Sequence, residues 1–113
     1  MGRSDALRDK IQKLAAKQKL SALIKYSDDS DDDVRMSVAI AIGLIPTYEA
    51  GMALISLLRD PSPQVRAAAA TSAADIQAKH CIEYVKKLAF SDEEPDVRRI
   101  AKMAFDKLRD SVV

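Results

Sequence analysis

Residues 33 to 45, Asp33-Val34-Arg35-Met36-Ser37-Val38-Ala39-Ile40-Ala41-Ile42-Gly43-Leu44-Ile45, decide the fold of this chain. Val34, Val38, Ala41, Ile42 and Ile45 fall at i, i+4, i+7, i+8 and i+11, the stripe of an amphipathic helix. The opening of the stretch returns as Gln64-Val65-Arg66 and as Asp96-Val97-Arg98, with the valines 31 and then 32 residues apart. Four residues after the valines stand Val38, Ala69 and Ala101; seven after, Ala41, Ser72 and Ala104; eight after, Ile42, Ala73 and Phe105; eleven after, Ile45, Ile76 and Leu108. A unit this short cannot bury its own apolar face, so the repeat predicts units that stack and cover one another.

The register extends backward by 31, where Leu7, Ile11 and Leu14 stand opposite Val38, Ile42 and Ile45, although the Val-Arg pair is missing there. The same lag sets Leu23 against Leu54 and Val85, and Tyr26 against Leu57 and Leu88, which predicts a second helix in each unit. Four first helices and three second helices give seven helices in about three and a half hairpins. The chain reads as one domain, 1–113, with units near 4–30, 31–61, 62–93 and a terminal half-repeat at 94–113. Ser62-Pro63 and Glu94-Pro95 read as a cap followed by proline at the first helical position, and Asp31 aligns with both caps. Gly43 sits near the end of its helix pattern, where it lets helices approach closely, and Pro46 stops that helix.

Val34-Arg35 followed by Val38-Ala39, Ala41-Ile42-Gly43 and Ile45 resembles the HEAT repeat, in the short form of about 30 residues that is similar to the repeats of phycobilin lyases. The segment from Glu49 to Leu57-Leu58-Arg59-Asp60 looks like the family's second helix. The resemblance covers about Asp31 to Leu108 and thins in the last unit, where Lys102 and Asp106 replace small residues. It implies an all-α, right-handed α-solenoid of the armadillo and HEAT type, and a non-catalytic interaction scaffold whose second helices line the concave, ligand-facing side. It also implies that Arg35, Arg66 and Arg98, one residue after each valine, join Asp29, Asp60 and Asp92, five before it, in a structural ladder tying successive units together. Phosphate binding is the competing reading of those arginines.

Composition agrees with the helical reading. The chain has 113 residues, 48% apolar and 31% charged, with 18 Ala, no Trp and 4% aromatic residues: a core of small side chains in good helix formers. Eighteen basic against seventeen acidic residues give a net charge of +1, so no whole-molecule field holds a polyanion. The longest apolar stretch, Val38 to Ile45, falls short of the roughly 18 residues that read as a membrane span. With a lone Cys81 and no export signal at the N-terminus, the expected compartment is the cytoplasm.

Reactive groups are few. His80 and Cys81, the single histidine and single cysteine, are neighbours about 100° apart on a helix and do not face each other. Cys81 shares the stripe of Val85 and Leu88 and reads as a buried structural thiol, with His80 facing solvent. Asp29, Asp31 and Asp33 alternate like calcium ligands, but Val34 occupies the position that needs glycine and the closing bidentate glutamate is absent. No catalytic residue, metal or cofactor is therefore expected.

Charge is uneven: residues 1 to 27 carry seven basic and two acidic residues, and residues 28 to 33 carry five acids. On the second helices Lys25, Ser56 and Lys87 share one register position, and Ala22, Ala53 and Tyr84 another, both off the core stripe. Lys19, Lys25, Arg59, Lys86 and Lys87 are expected to form a weakly basic groove with Tyr84 as its apolar anchor. The expected partner is another protein or a peptide of acidic character. A nucleic-acid-binding or lyase-like HEAT protein is the alternative, disfavoured because too few basic residues fall on the second helices. In the last helix Ile100, Ala101, Ala104, Phe105 and Leu108 are expected to dock inward, leaving Met103 and Val112-Val113 as uncovered apolar surface. A monomer is expected, with a weak end-to-end homodimer through this helix as the alternative.

Overall fold

Seven α-helices follow one another in the computed structural model, which describes residues 2–111: α1 (Arg3–Ala16), α2 (Leu20–Ile24), α3 (Asp32–Ile42), α4 (Tyr48–Leu58), α5 (Pro63–Asp75), α6 (Ile82–Ser91) and α7 (Pro95–Asp110). A 3-10 turn, Lys79–Cys81, leads into α6, and no strand occurs among the described residues. The first helices α1, α3, α5 and α7 pack side by side in that order, while α2, α4 and α6 each pack on the first helix that follows. The molecule is a slab 37 × 30 × 17 Å, thin enough for two helix layers at the usual spacing of about 10 Å. This is the helical solenoid expected from the repeat.

The aligned stripe is the core. Val34, Val38, Ile42, Leu54, Leu57, Val65, Ala69, Ala73, Val85, Val97, Ala101 and Leu108 are all 2% exposed or less. Asp31, Ser62 and Glu94 are the N-caps of α3, α5 and α7, and Pro63 and Pro95 open their helices. Only Asp31 caps with its side chain; Ser62 and Glu94 hold the cap positions without a side-chain cap hydrogen bond, and all three are fastened instead by the aspartate two positions earlier. Asp31 accepts from the Asp33 N–H at 2.9 Å through its own side chain, but its own N–H donates to Asp29 Oδ1 at 3.0 Å. The N–H groups of Ser62 and Glu94 donate in the same way to Asp60 Oδ1 and Asp92 Oδ1, both at 2.9 Å. Each loop aspartate thus pins the backbone of the first helix that follows it.

Close approach of the first helices depends on small side chains. A Cβ built on Gly43 would lie 2.5 Å from Ser72 Oγ, whose hydroxyl donates to the Ala39 carbonyl at 2.6 Å. Helix α3 ends at Gly43 in right-handed backbone. The left-handed turns fall elsewhere, at Gln18 and Gln77, both with φ 54°. There the Gln18 and Lys19 amides donate to Ala15 and Leu14, and the Gln77 and Ala78 amides to Ala74 and Ala73, all at 2.9 to 3.0 Å. This is the Schellman ending, normally given to glycine.

Helix α7 departs in part from the expected docking. Ala101, Ala104 and Leu108 are buried, but Ile100 and Phe105 are only half-buried because no later helix covers that side among the described residues. Met103 is 67% exposed, as expected, whereas Val112 and Val113 lie outside the described residues.

Candidate functional site

Two constellations arise from the repeat: a line of arginines and aspartates along one edge, and a groove between second helices. Along the edge, Arg35 donates from Nε and Nη2 to the Asp60 carboxylate at 2.9 and 3.0 Å and from Nη1 to the Asp29 carbonyl at 2.8 Å. Arg66 repeats the arrangement one unit on, with its fork on Asp92 at 2.8 and 3.1 Å and Nη1 on the Asp60 carbonyl at 2.9 Å. Each guanidinium therefore bridges the loop before its helix and the loop one unit later. Side-chain exposures of 13% and 6% for Arg35–Asp60, and of 11% and 5% for Arg66–Asp92, set these pairs apart from solvent-screened surface ion pairs. With both forks occupied by aspartate, neither arginine has its bidentate edge open to a phosphate.

The first rung is one the register did not reveal. Arg3 clasps Asp29 at 3.1 and 2.6 Å, with the arginine side chain 60% exposed. A lag of 31 from Arg35 lands on Ser4, whereas Arg3 lies 32 residues back, the spacing that also separates Arg66 from Arg98. At the other end Arg98 donates from Nη1 to the Asp92 carbonyl at 2.6 Å and makes no ion pair with an aspartate among the described residues. Its expected place in the ladder is half filled.

Electrostatics follow the geometry. The Asp29 carboxyl is held below its ordinary range by the hydrogen bond from Arg3 and by the Asp31 N–H. Burial alone would raise the Asp92 carboxyl, but hydrogen bonds from Arg66 and the Glu94 N–H, with the charges of Arg66 and Arg98, outweigh it and hold the group low. The Arg35 and Arg66 guanidinium groups are driven further toward the charged form by their hydrogen bonds to Asp60 and Asp92.

A groove of ≈ 770 Å³ opens beside α4 and α6, where the two second helices touch only sparsely. Leu58 and Leu88 supply its apolar lining with Tyr84, and Arg59 and Lys87 line it with Glu83, Ser91 and Glu93. The Arg66–Asp92 pair also borders it. Of the six residues expected here, the structure brings together Arg59, Tyr84 and Lys87. Lys19 and Lys25 flank the five-residue α2, outside this groove, because the shared register places them on a different unit. Lys86 is exposed but turned about 100° from Lys87 around α6 and does not line it. Glu83 has no acidic counterpart in the other units, which carry Ser21 and Met52 there, and Glu93, one residue after Asp92, stands opposite Ser30 and Pro61, so the repeat gave no signal for them. Three cations, Arg59, Arg66 and Lys87, meet three anions, Glu83, Asp92 and Glu93, so the lining is charge-balanced and not basic.

The remaining candidates take structural places. Cys81 is fully buried, its thiol pushed up to about 11 by burial, and its Sγ donates to the Gly51 carbonyl at 3.2 Å. Such a thiol is the inert extreme of cysteine reactivity. His80 corrects the expectation of a solvent-facing ring. It is half-buried, stacked on Tyr48 at 4.4 Å between centroids, with a buried Nε2 against the space where a Gly51 side chain would begin. Gly51 is the reason: without a Cβ there, the ring folds down onto α4. The alternating Asp29, Asp31, Asp33 set does not converge, since Asp29 is taken by Arg3. Asp31, Asp32 and Asp33 come within 4.8 Å instead, on the first turn of α3, where carboxylates complement the positive helix end. No described helix is long and apolar enough to cross a membrane.

Comparison with curated proteins finds no match to the chain. The family model described as HEAT repeats matches residues 51–113, which run from α4 through the groove to the last described helix. That match covers more than half of the chain and includes the Val65-Arg66 and Val97-Arg98 units: the chain belongs to the HEAT repeat family.

Proposed function

We propose that this chain is a non-catalytic protein-interaction module that takes a peptide segment of its partner in the groove beside α4 and α6. HEAT repeats are commonly interaction scaffolds, which favours a protein partner over a reaction. The observation that carries the reading is the groove itself: Tyr84 and the leucines offer an apolar seat, ringed by Arg59, Lys87, Glu83 and Glu93, none of which is held in an ion pair among the described residues. An aromatic seat with a mixed polar rim is the anatomy of a protein contact, in which one anchor supplies most of the energy and the rim supplies orientation. The balance of three cations and three anions favours a peptide of mixed charge over a nucleic acid, which would need a basic track.

The test is affinity capture from native cell extract with the parent chain, in parallel with Tyr84→Ala and with Arg59→Glu/Lys87→Glu. A partner held by the parent is expected to be lost on Tyr84→Ala and weakened by the charge reversals, with the helical circular dichroism of both variants unchanged. A partner held equally by all three proteins would place binding on another face.

A further inference from the structure

The arginines along this edge end differently along the chain. Arg3, Arg35 and Arg66 each lay a two-nitrogen fork on an aspartate carboxylate. Arg98 shares the anchor of the inner two, its Nη1 donating to the Asp92 carbonyl at 2.6 Å where theirs donate to Asp29 and Asp60 carbonyls at 2.8 and 2.9 Å. Among the described residues no carboxylate meets its Nε and Nη2, the two atoms that hold aspartate in Arg35 and Arg66. The guanidinium is half-buried and tethered through one nitrogen. A planar fork ordered in advance loses little freedom when it closes on a carboxylate.

The surface beside it has a core character. Arg98, Lys102 and Phe105 stand at i, i+4 and i+7 of α7 and share one face. Phe105 holds the register position at which Ile42 and Ala73 are 0% exposed, yet it is only half-buried. Its ring meets Phe90 edge-on at 5.9 Å between centroids, and Phe90 is 58% exposed. Lys102 lies 5.6 Å over the Phe90 ring, adding positive charge next to the open fork. In the two preceding units, an aspartate following a second helix meets such a fork.

We infer that this face of α7 docks a helical segment of a different protein that carries an aspartate, the carboxylate seated on Nε and Nη2 of Arg98 and an apolar side chain laid over Phe90 and Phe105. A free phosphate would match the fork alone; the aromatic pair beside it calls for a ligand with its own apolar side chains. Arg98 does not line the groove beside α4 and α6, so loss of binding at either place leaves the other unaffected.

The test uses a synthetic peptide of residues 82–94, the α6 sequence with Asp92, because that segment supplies the carboxylate to Arg66 within the chain. Titrated into the isotope-labelled 113-residue protein, it is expected to produce saturable shifts in the Arg98 Nε–H and Phe105 ring resonances. The Asp92→Asn peptide should bind at least tenfold more weakly to the parent, and the parent peptide at least tenfold more weakly to Arg98→Lys, which keeps the charge and loses the fork. Because the peptide variant leaves the protein untouched, a folding defect cannot mimic the result. Absence of shifts at Arg98, or equal affinity for both peptides, would overturn the inference. Arg98 shifts that grow with protein concentration alone would assign the fork to a second copy of the chain, and that too would overturn it.

Discussion

Gly43→Ala separates helix propensity from tertiary packing, because the two predict opposite signs. Gly43 has φ −64° and ψ −7°, backbone that any residue adopts, so alanine there should stabilise the end of α3 by about 0.5–1 kcal/mol. The new Cβ would stand 2.5 Å from Ser72 Oγ and 2.8 Å from Ser72 Cβ, against an optimal carbon separation of about 3.5–4.0 Å. Both obstacles sit at the base of a buried side chain on α5, so relief requires α3 and α5 to part by about 1 Å, out of contact range for the alanines between them. Overpacking of this kind costs about 1–3 kcal/mol. Stretching the 2.6 Å bond from Ser72 to the Ala39 carbonyl adds about 1 kcal/mol, so the net expectation is a loss of about 1–3 kcal/mol. Urea unfolding followed by circular dichroism at 222 nm should show the midpoint falling by about 1 M, given slopes of about 1–3 kcal/mol/M for small proteins. Ser72→Ala removes the nearer atom and leaves the Cβ, so the double variant should recover part of the loss, with a coupling of about 0.5–1.5 kcal/mol. A midpoint equal to or above the parent's would refute the close approach of α3 and α5.

Leu57→Ala, at a side chain only 1% exposed in the central unit, should cost about 2–5 kcal/mol by transfer and cavity terms; a midpoint within error of the parent's would move Leu57 out of the core. Gln77→Gly should raise stability by about 0.5–1 kcal/mol, because φ 54° strains glutamine and not glycine, and a lower midpoint would deny the left-handed turn. The Asp92 carboxyl is depressed in the folded state, so its contribution is present above the ordinary carboxylate range near pH 4 and is lost as pH falls through the folded value; Asp92→Asn should flatten the acid limb of stability measured from pH 5 down to pH 2. Cys81, buried with its thiol near 11, should react with a chromogenic disulfide at pH 8 only as fast as the chain opens, and rapid labelling of native protein would contradict the burial.

The seven helices, their layering and the core stripe were legible in the sequence because helical periodicity is local and the 31-residue lag repeats it. Val34, Val65 and Val97 are buried for the same reason that they align, since a face recurring every 3.6 residues has to be covered by the next unit. The cap positions Asp31, Ser62 and Glu94 were equally legible, being a matter of adjacent residues, although only Asp31 caps with its side chain. Contacts between units were not, beyond the ladder of arginines and aspartates that the family resemblance implied. Arg3 finds Asp29 although it stands one residue off the register, since a long side chain on the first turn of α1 reaches where the pattern alone does not point. Gly43 read as a point of close helix approach and is one, but that Ser72 is the side chain it makes room for, and that Gln18 and Gln77 rather than glycine take the left-handed backbone, is decided only by the packing of the helices. The groove shows the same division: register placed Lys25 and Lys87 as equivalents, but a groove exists where two second helices part, so it collects Arg59, Tyr84 and Lys87 with Glu83 and Glu93 and excludes Lys25. Periodicity states which face of a helix is covered, and the distance between helices, set by the side chains on both, states what the uncovered faces can hold.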